Sequence, residues 1–186
     1  MSKIILVTGG ARSGKSTYAE KLAKALEQNV LYVATSIPFD AEMKERVKKH
    51  RERRPQHWGT YEGYGQLKNI VGEEAKAYPV LLLDCVTILV SNLMYDEIGE
   101  EIENFSEGML NAIEASILKE IKEFLDAIEK SSKTLIMVTN EVGFGIVPEY
   151  KLARVFRDIS GRVNQYIASR AEEVTLVVCG IPVKVK

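Results

Sequence analysis

Ile4–Thr17 reads IILVTGGARSGKST, a short aliphatic run that breaks into glycines and resumes as Gly14-Lys15-Ser16. The pattern Gly9-x4-Gly14-Lys15-Ser16 is that of a phosphate-binding loop between a strand and a helix. Backbone N–H groups of Gly9, Gly10, Ala11, Arg12, Ser13 and Gly14, with the helix N-terminus behind them, can wrap phosphate oxygens. Lys15 would reach the β- and γ-phosphates, and the Ser16 hydroxyl would take a Mg²⁺ ion. The context fits: apolar residues precede the loop, and the helix-compatible STYAEKLAKALE follows it.

Working outward, similar aliphatic runs recur at Ile4–Val7, Val30–Ala34, Val80–Cys85, Thr134–Thr139 and Val174–Cys179. Four to six apolar residues without alternation suit strands buried on both faces of a parallel sheet. Between them, Leu110, Ile113, Ile117, Ile121, Leu125 and Ile128 step by three or four, as do Leu152, Phe156, Ile159, Val163 and Ile167. Each set marks the apolar face of an amphipathic helix. Strands alternating with helices predict a three-layer α/β domain of the P-loop NTPase kind. The run Val174–Cys179, Gly180-Ile181-Pro182 and Val183–Val185 reads as a hairpin, so the last strand is expected antiparallel at the sheet edge.

The chain has 186 residues, 46% apolar and 27% charged, with a formal net charge of −1. This suits one soluble domain spanning 1–186, and argues against a surface given wholly to nucleic acid or anionic lipid. No apolar segment reaches the roughly 18 residues of a membrane span. MSKIILVTGG lacks signal-peptide architecture, which points to the cytoplasm. Cys85 and Cys179, each inside an apolar run, are expected to be buried, reduced thiols.

VLLLD ends in Asp84, an acidic residue directly after four aliphatics. A carboxylate there is costly to bury unpaired. It can hold Mg²⁺ at the strand's C-terminal end, where ligands of open α/β sheets bind, or cap the helix that starts at VTILVSNLMY. Both roles can coexist.

Both histidines fall in Glu45–Trp58, ERVKKHRERRPQHW, among six Lys or Arg. Asp40 can cap a helix AEMKERVKKHRER that Pro55 closes. Met43, Val47 and His50 then share a face, so His50 can be a packed histidine. Alternatively it is a nucleophile towards phosphorus, since imidazole is unprotonated for much of the time near neutral pH. Arg51, Arg53 and Arg54 suit a triphosphate. His57, between Pro55 and Trp58, reads as a turn residue or one packed on the indole.

Together, GGARSGKS, Ala34-Thr35-Ser36, KHRERRPQHW, LLLDCVT, TNEVGFGIVPEYKLARVFRDISGRVNQ and VVCGIPVKVK occur in an order that closely resembles, end to end, the bifunctional adenosylcobinamide kinase / adenosylcobinamide-phosphate guanylyltransferase family of cobalamin biosynthesis. The resemblance implies a RecA-like sheet and two reactions. One is phosphorylation of the aminopropanol hydroxyl of adenosylcobinamide by ATP or GTP. The other is transfer of GMP from GTP to adenosylcobinamide phosphate through a histidine–GMP intermediate, releasing pyrophosphate. It places the intermediate on His50, nucleotide contacts at Gly9 through Ser16, Ala34, Thr35, Ser36, Arg51, Glu52, Arg53, Arg54, Glu62 and Asp84, and Mg²⁺ between Ser16 and Asp84. It also implies a homotrimer.

TNEVGFGIVPEYKLAR follows a strand end, where Asn140 and Glu141 are polar candidates and Gly143 and Gly145 suggest a mobile loop. Arg154, Asp158, Arg162 and Gln165 form a polar helix face; for Arg154 and Asp158 ordinary ion pairs serve as well as a site. Arg162 and Asn164 are expected at a site or subunit interface. Two rival readings remain open: a P-loop kinase with a structural His50, and a nucleic-acid-binding NTPase that uses Glu45–Trp58. The absence of a second basic cluster with interleaved aromatics counts against the latter, and no nucleic-acid partner is expected.

Overall fold

A computed structural model describes residues 2–26, 29–36, 54–99 and 106–186. Asp40, the helix predicted after it, and with it His50, Arg51, Glu52 and Arg53, lie outside the described residues.

The order of elements is β1 (Lys3–Gly9), α1 (Lys15–Leu26), β2 (Val30–Ala34), β3 (Gly59–Glu62), α2 (Leu67–Ile70), β4 (Val80–Asp84), α3 (Val86–Ile98), α4 (Glu107–Glu129), β5 (Thr134–Val138), α5 (Lys151–Arg170), β6 (Glu173–Val178) and β7 (Ile181–Lys184). The strands form one sheet in the order β3-β2-β4-β5-β1-β6-β7. Every pairing is parallel except β6 with β7. The expected α/β sheet with an antiparallel edge hairpin is therefore what the chain forms.

The central strands are aliphatic on both faces because both faces are covered. On one side Ile5, Val7, Tyr32, Ala34, Val80, Leu82, Ile136 and Val138 pack with Ala19 and Ala23 of α1. On the other, Ile4, Leu6, Leu31, Val33, Leu81, Leu83, Leu135 and Met137 meet α3, α4 and α5. Ser106 Oγ accepts from Met109 N at 3.2 Å and caps α4, satisfying one of the donors a helix start leaves over. The predicted stripe of α4 is buried at Ile113, Ile117, Ile121, Leu125 and Ile128, with Phe124 beside them. In α5 the stripe is buried only from Ile159 onwards; Leu152 and Phe156 are half-buried.

Several expectations are corrected. β3 is an additional edge strand; its sequence GTYE has no aliphatic run, because an edge strand alternating between half-buried and exposed needs none. The strands end at Asp84 and Val178, one residue before the cysteines. The hairpin turn is Cys179-Gly180, at φ 52° and 80°, the left-handed pair that matches the twist of a two-residue hairpin. Pro182 lies within β7, opposite Val177, as an edge strand tolerates. Cys179 is consequently exposed at that turn, whereas Cys85 is buried as expected. Among the described residues no helix is long and apolar enough to cross a membrane.

Candidate active site

The loop between β1 and α1 lies at the C-terminal edge of the sheet, with β5 and β6 on either side of its strand. Gly9 admits no side chain: a Cβ there would sit 2.5 Å from Val177 O and 2.6 Å from Ser13 Oγ. Gly14 has φ +93°, and a Cβ would come within 3.1 Å of Gly180 Cα. Ser13 N donates to Gly10 O at 3.2 Å, and Tyr18 N donates to Gly14 O at 3.0 Å as α1 begins. Two neighbours brace the loop from outside. Glu141 N donates to Gly9 O at 3.1 Å, and Gly180 N donates to Ser13 O at 2.8 Å.

Lys15 folds back over this loop and donates from Nζ to Gly10 O at 3.0 Å. It is buried, and burial lowers its pKa, partly opposed by Cys85 and Asp84. The Ser13 hydroxyl is buried and has no hydrogen-bond partner among the described residues. Among the described residues, an ammonium bonded only to its own loop and a hydroxyl without a partner are polar groups that a phosphate oxygen would satisfy. Ser16 is half-buried in the first turn of α1, and Ala11 and Arg12 are exposed, Arg12 at φ 59°.

Opposite the loop, Glu62, Ala34 and Asp84 occupy one register row across β3, β2 and β4. In-register residues of parallel strands share a face, so the row sets Ala34 between two carboxylates. β5 separates the Asp84 strand from the loop strand. Asp84 is half-buried, and Tyr32 OH donates to its Oδ2 at 3.1 Å. The helix N-cap is Cys85, with no side-chain cap, so Asp84 does not cap α3. Thr35 is fully engaged: its Oγ1 donates to Cys85 O at 2.8 Å and accepts from Cys85 N at 2.9 Å. Asn92 Nδ2 donates to Thr35 O at 2.8 Å, so α3 is tied to the end of β2. Ser36 is half-buried beside it, and Glu62 is exposed at the end of β3.

Arg54, the first described residue after position 53, lays its guanidinium over the Tyr32 ring at 3.1 Å from the centroid. His57 is exposed in a turn next to the buried Trp58. Beyond β5, Thr139 Oγ1 donates to Asn164 Oδ1 at 2.8 Å, Asn140 N donates to Thr87 Oγ1 at 2.7 Å, and Asn164 Nδ2 donates to Asn140 O at 3.3 Å. Asn164 thus serves the interior of this chain, fixing the backbone of Asn140. Arg162 forms a two-pronged ion pair with Glu114 of α4. Arg154 donates to Pro148 O at 3.0 Å, and Asp158 pairs with Arg157 at 3.2 Å, an ordinary solvated face.

The loop after Asn140 exposes Phe144, Ile146, Val147 and Tyr150. Tyr150, Leu152 and Phe156 also line a cavity of about 380 Å³ against Met94, Tyr95 and Ile98 of α3.

Sequence reasoning missed Tyr32. The available signal is a phenol within VLYVA, an otherwise aliphatic buried strand, whose hydroxyl has to find a partner.

A glycine-hinged phosphate loop at a strand–helix junction, with an acidic residue at the end of a parallel strand one removed, defines a P-loop nucleotide-binding α/β protein. The family model described as cobinamide kinase / cobinamide phosphate guanyltransferase matches residues 5–185. The bifunctional adenosylcobalamin biosynthesis protein CobU of Escherichia coli (strain K12) is 48% identical over 183 residues, covering 98% of this chain and 99% of its own. CobP of Pseudomonas aeruginosa, also named a bifunctional adenosylcobalamin biosynthesis protein, is 36% identical over 181 residues, with 97% and 96% covered. A solved structure, the KaiC-like protein PH0186 of Pyrococcus horikoshii OT3, aligns with a TM-score of 0.49 and 14% identity over 94% of this chain and 70% of that one. The chain belongs to the cobinamide kinase / cobinamide phosphate guanyltransferase family.

Proposed function

We propose that this chain is the bifunctional enzyme its family describes, phosphorylating adenosylcobinamide with ATP or GTP and then transferring GMP from GTP to adenosylcobinamide phosphate. The observation that carries the reading is the braced Gly9–Ser16 loop facing Asp84 within a match that runs from end to end. Nucleotide contacts are assigned to Gly9 through Ser16, Ala34 through Ser36, Arg51 through Arg54, Glu62 and Asp84.

Ser16 and Asp84 would hold Mg²⁺. A hydroxyl and a single carboxylate are hard oxygen donors, and Mg²⁺ commonly binds through one or two carboxylates plus substrate phosphates. Asp84 and the loop both lie at the C-terminal edge of the parallel sheet, with β5 between their strands, which supports a shared site. The bound ion would neutralise phosphate charge there.

In guanylyl transfer an imidazole nitrogen of His50 attacks the α-phosphorus of GTP. A P–N bond forms, the bridging P–O bond to the β-phosphate breaks, and pyrophosphate leaves. A phosphate oxygen of the acceptor then displaces His50, breaking the P–N bond and restoring the imidazole. Arg51, Arg53 and Arg54 stabilise the charge that builds on the transferring phosphate. In the kinase step the substrate hydroxyl oxygen bonds the γ-phosphorus and gives up its proton to solvent, while the bridging bond to the β-phosphate breaks and the nucleoside diphosphate leaves, its phosphates held by Lys15 and the loop amides. A cytoplasmic homotrimer is part of the same proposal, supported by the resemblance.

The test is intact-protein mass after incubation with GTP and Mg²⁺. Wild type should gain one acid-labile GMP, and His50→Ala none. Kinase activity without any adduct would leave a P-loop kinase and return His50 to a packing role.

A further inference from the structure

We infer that Tyr32 is a positioning residue that holds the Asp84 carboxylate and seats Arg54 through one side chain. The inference rests on the reading of Asp84 as the metal-side carboxylate.

Tyr32 is the third residue of β2, in register with Leu82 of β4, and lies two residues short of the row containing Ala34 and Asp84. Its side chain therefore points to the same face as theirs, and its length brings the phenol tip to the end of β4. The ring is buried at 3% exposure. A phenylalanine would fill the same apolar volume; the hydroxyl adds a polar group that has to be satisfied. Its partner is Asp84 Oδ2, at 3.1 Å. That bond fixes the plane of a carboxylate at a strand end, where side chains otherwise rotate, and it uses only one of the two oxygens.

The ring's face does separate work. Arg54 places its guanidinium carbon over the ring, 3.1 Å from the centroid, as a guanidinium favours on a desolvated aromatic face. Arg54 closes the basic run that begins at Arg46, and nothing else in β2 offers it an aromatic face. One residue of the central sheet thus sets the spacing between the end of the basic segment and the carboxylate on the far side of the nucleotide site.

The experiment is equilibrium binding of GTP to the full chain, with Mg²⁺ titrated from chelator to saturation, for wild type, Tyr32→Phe and Tyr32→Leu, each checked by thermal unfolding. Tyr32→Phe keeps the ring and loses the hydroxyl. The gain in GTP affinity produced by Mg²⁺ should fall about tenfold, as for loss of a partner behind a metal ligand. Tyr32→Leu should lose that gain and weaken Mg²⁺-free GTP binding as well, because Arg54 loses its seat. A purely structural Tyr32 would leave the Mg²⁺ titration of Tyr32→Phe superimposable on wild type, and that result overturns the inference. If wild-type GTP binding shows no Mg²⁺ dependence, the metal reading of Asp84 falls, and this inference with it.

Discussion

Gly180 donates its amide to Ser13 O at 2.8 Å, and its Cα would lie 3.1 Å from any Cβ on Gly14. The turn of the edge hairpin and the phosphate loop are therefore packed backbone to backbone. A methyl group there is tighter than an ordinary contact, so the turn must give by a few tenths of an ångström. Gly14→Ala must displace the turn while also adopting a φ of +93°, at a cost of roughly 1–3 kcal/mol. We expect a lower midpoint in chemical denaturation together with loss of GTP binding by equilibrium dialysis; a variant with wild-type values for both would show that the loop and hairpin are not coupled.

Lys15 is a stability liability retained for binding. Burial lowers its pKa, so between that lowered value and its ordinary value the unfolded chain binds more protons than the folded one. Stability from this group therefore rises with pH through that window, and the penalty is fully present below it. Lys15→Met should melt higher than wild type at neutral pH without nucleotide, by about 2–4 °C for each kcal/mol recovered. It should also bind GTP at least about tenfold more weakly. Calorimetric scans and titrations together check both directions.

Asn164 joins Thr139 Oγ1 to the carbonyl of Asn140 inside the fold. Asn164→Leu leaves both without that partner, and an unsatisfied buried group costs about 1–3 kcal/mol. Urea unfolding should show the loss in the midpoint with an unchanged slope.

The two thiols should differ sharply in reactivity. Cys85 is buried, and burial pushes its pKa up to about 11, whereas Cys179 is exposed at the hairpin turn. A thiolate is the reacting species. A disulfide reagent should label one cysteine per native chain, mapped by peptide mass to Cys179, and two only after unfolding.

On α5, Arg170 bonds Asp126 at 2.8 Å and contacts Glu129 at 2.6 Å on α4. The guanidinium holds the Asp126 carboxyl below its usual range. A lowered carboxyl pKa contributes stability above the unfolded value and loses it as pH falls through the folded one. Arg170→Met should melt about 1–3 °C lower near neutrality, and the difference should vanish in acid, below the range where Asp126 titrates.

Much of this was legible because the relevant signals are local. A glycine-spaced loop between an aliphatic run and a helix can be read from Ile4–Thr17 alone, and aliphatic runs mark strands that helices cover on both sides. β3 escaped because GTYE is an edge strand with half its residues exposed, so burial does not write itself into the residue types. Cys179 was misplaced because an apolar neighbourhood in sequence says nothing about which residue takes the turn. Tyr32 was missed, and Asn164 was expected at a site or subunit interface rather than inside the fold, for a further reason: their partners lie on other segments, and no spacing within one segment encodes them. Arg162 likewise finds Glu114 on a separate helix.

The placement of β1 sets an order of events in the cell. Its partners in the sheet are β5 and β6, formed by Thr134–Val138 and Glu173–Val178, and the loop that follows it leans on Glu141 and Gly180. Contacts so distant in sequence form late. β1 must therefore wait until β5 and β6 have both been made, and the phosphate loop is braced for GTP only once Glu141 and Gly180 have joined it.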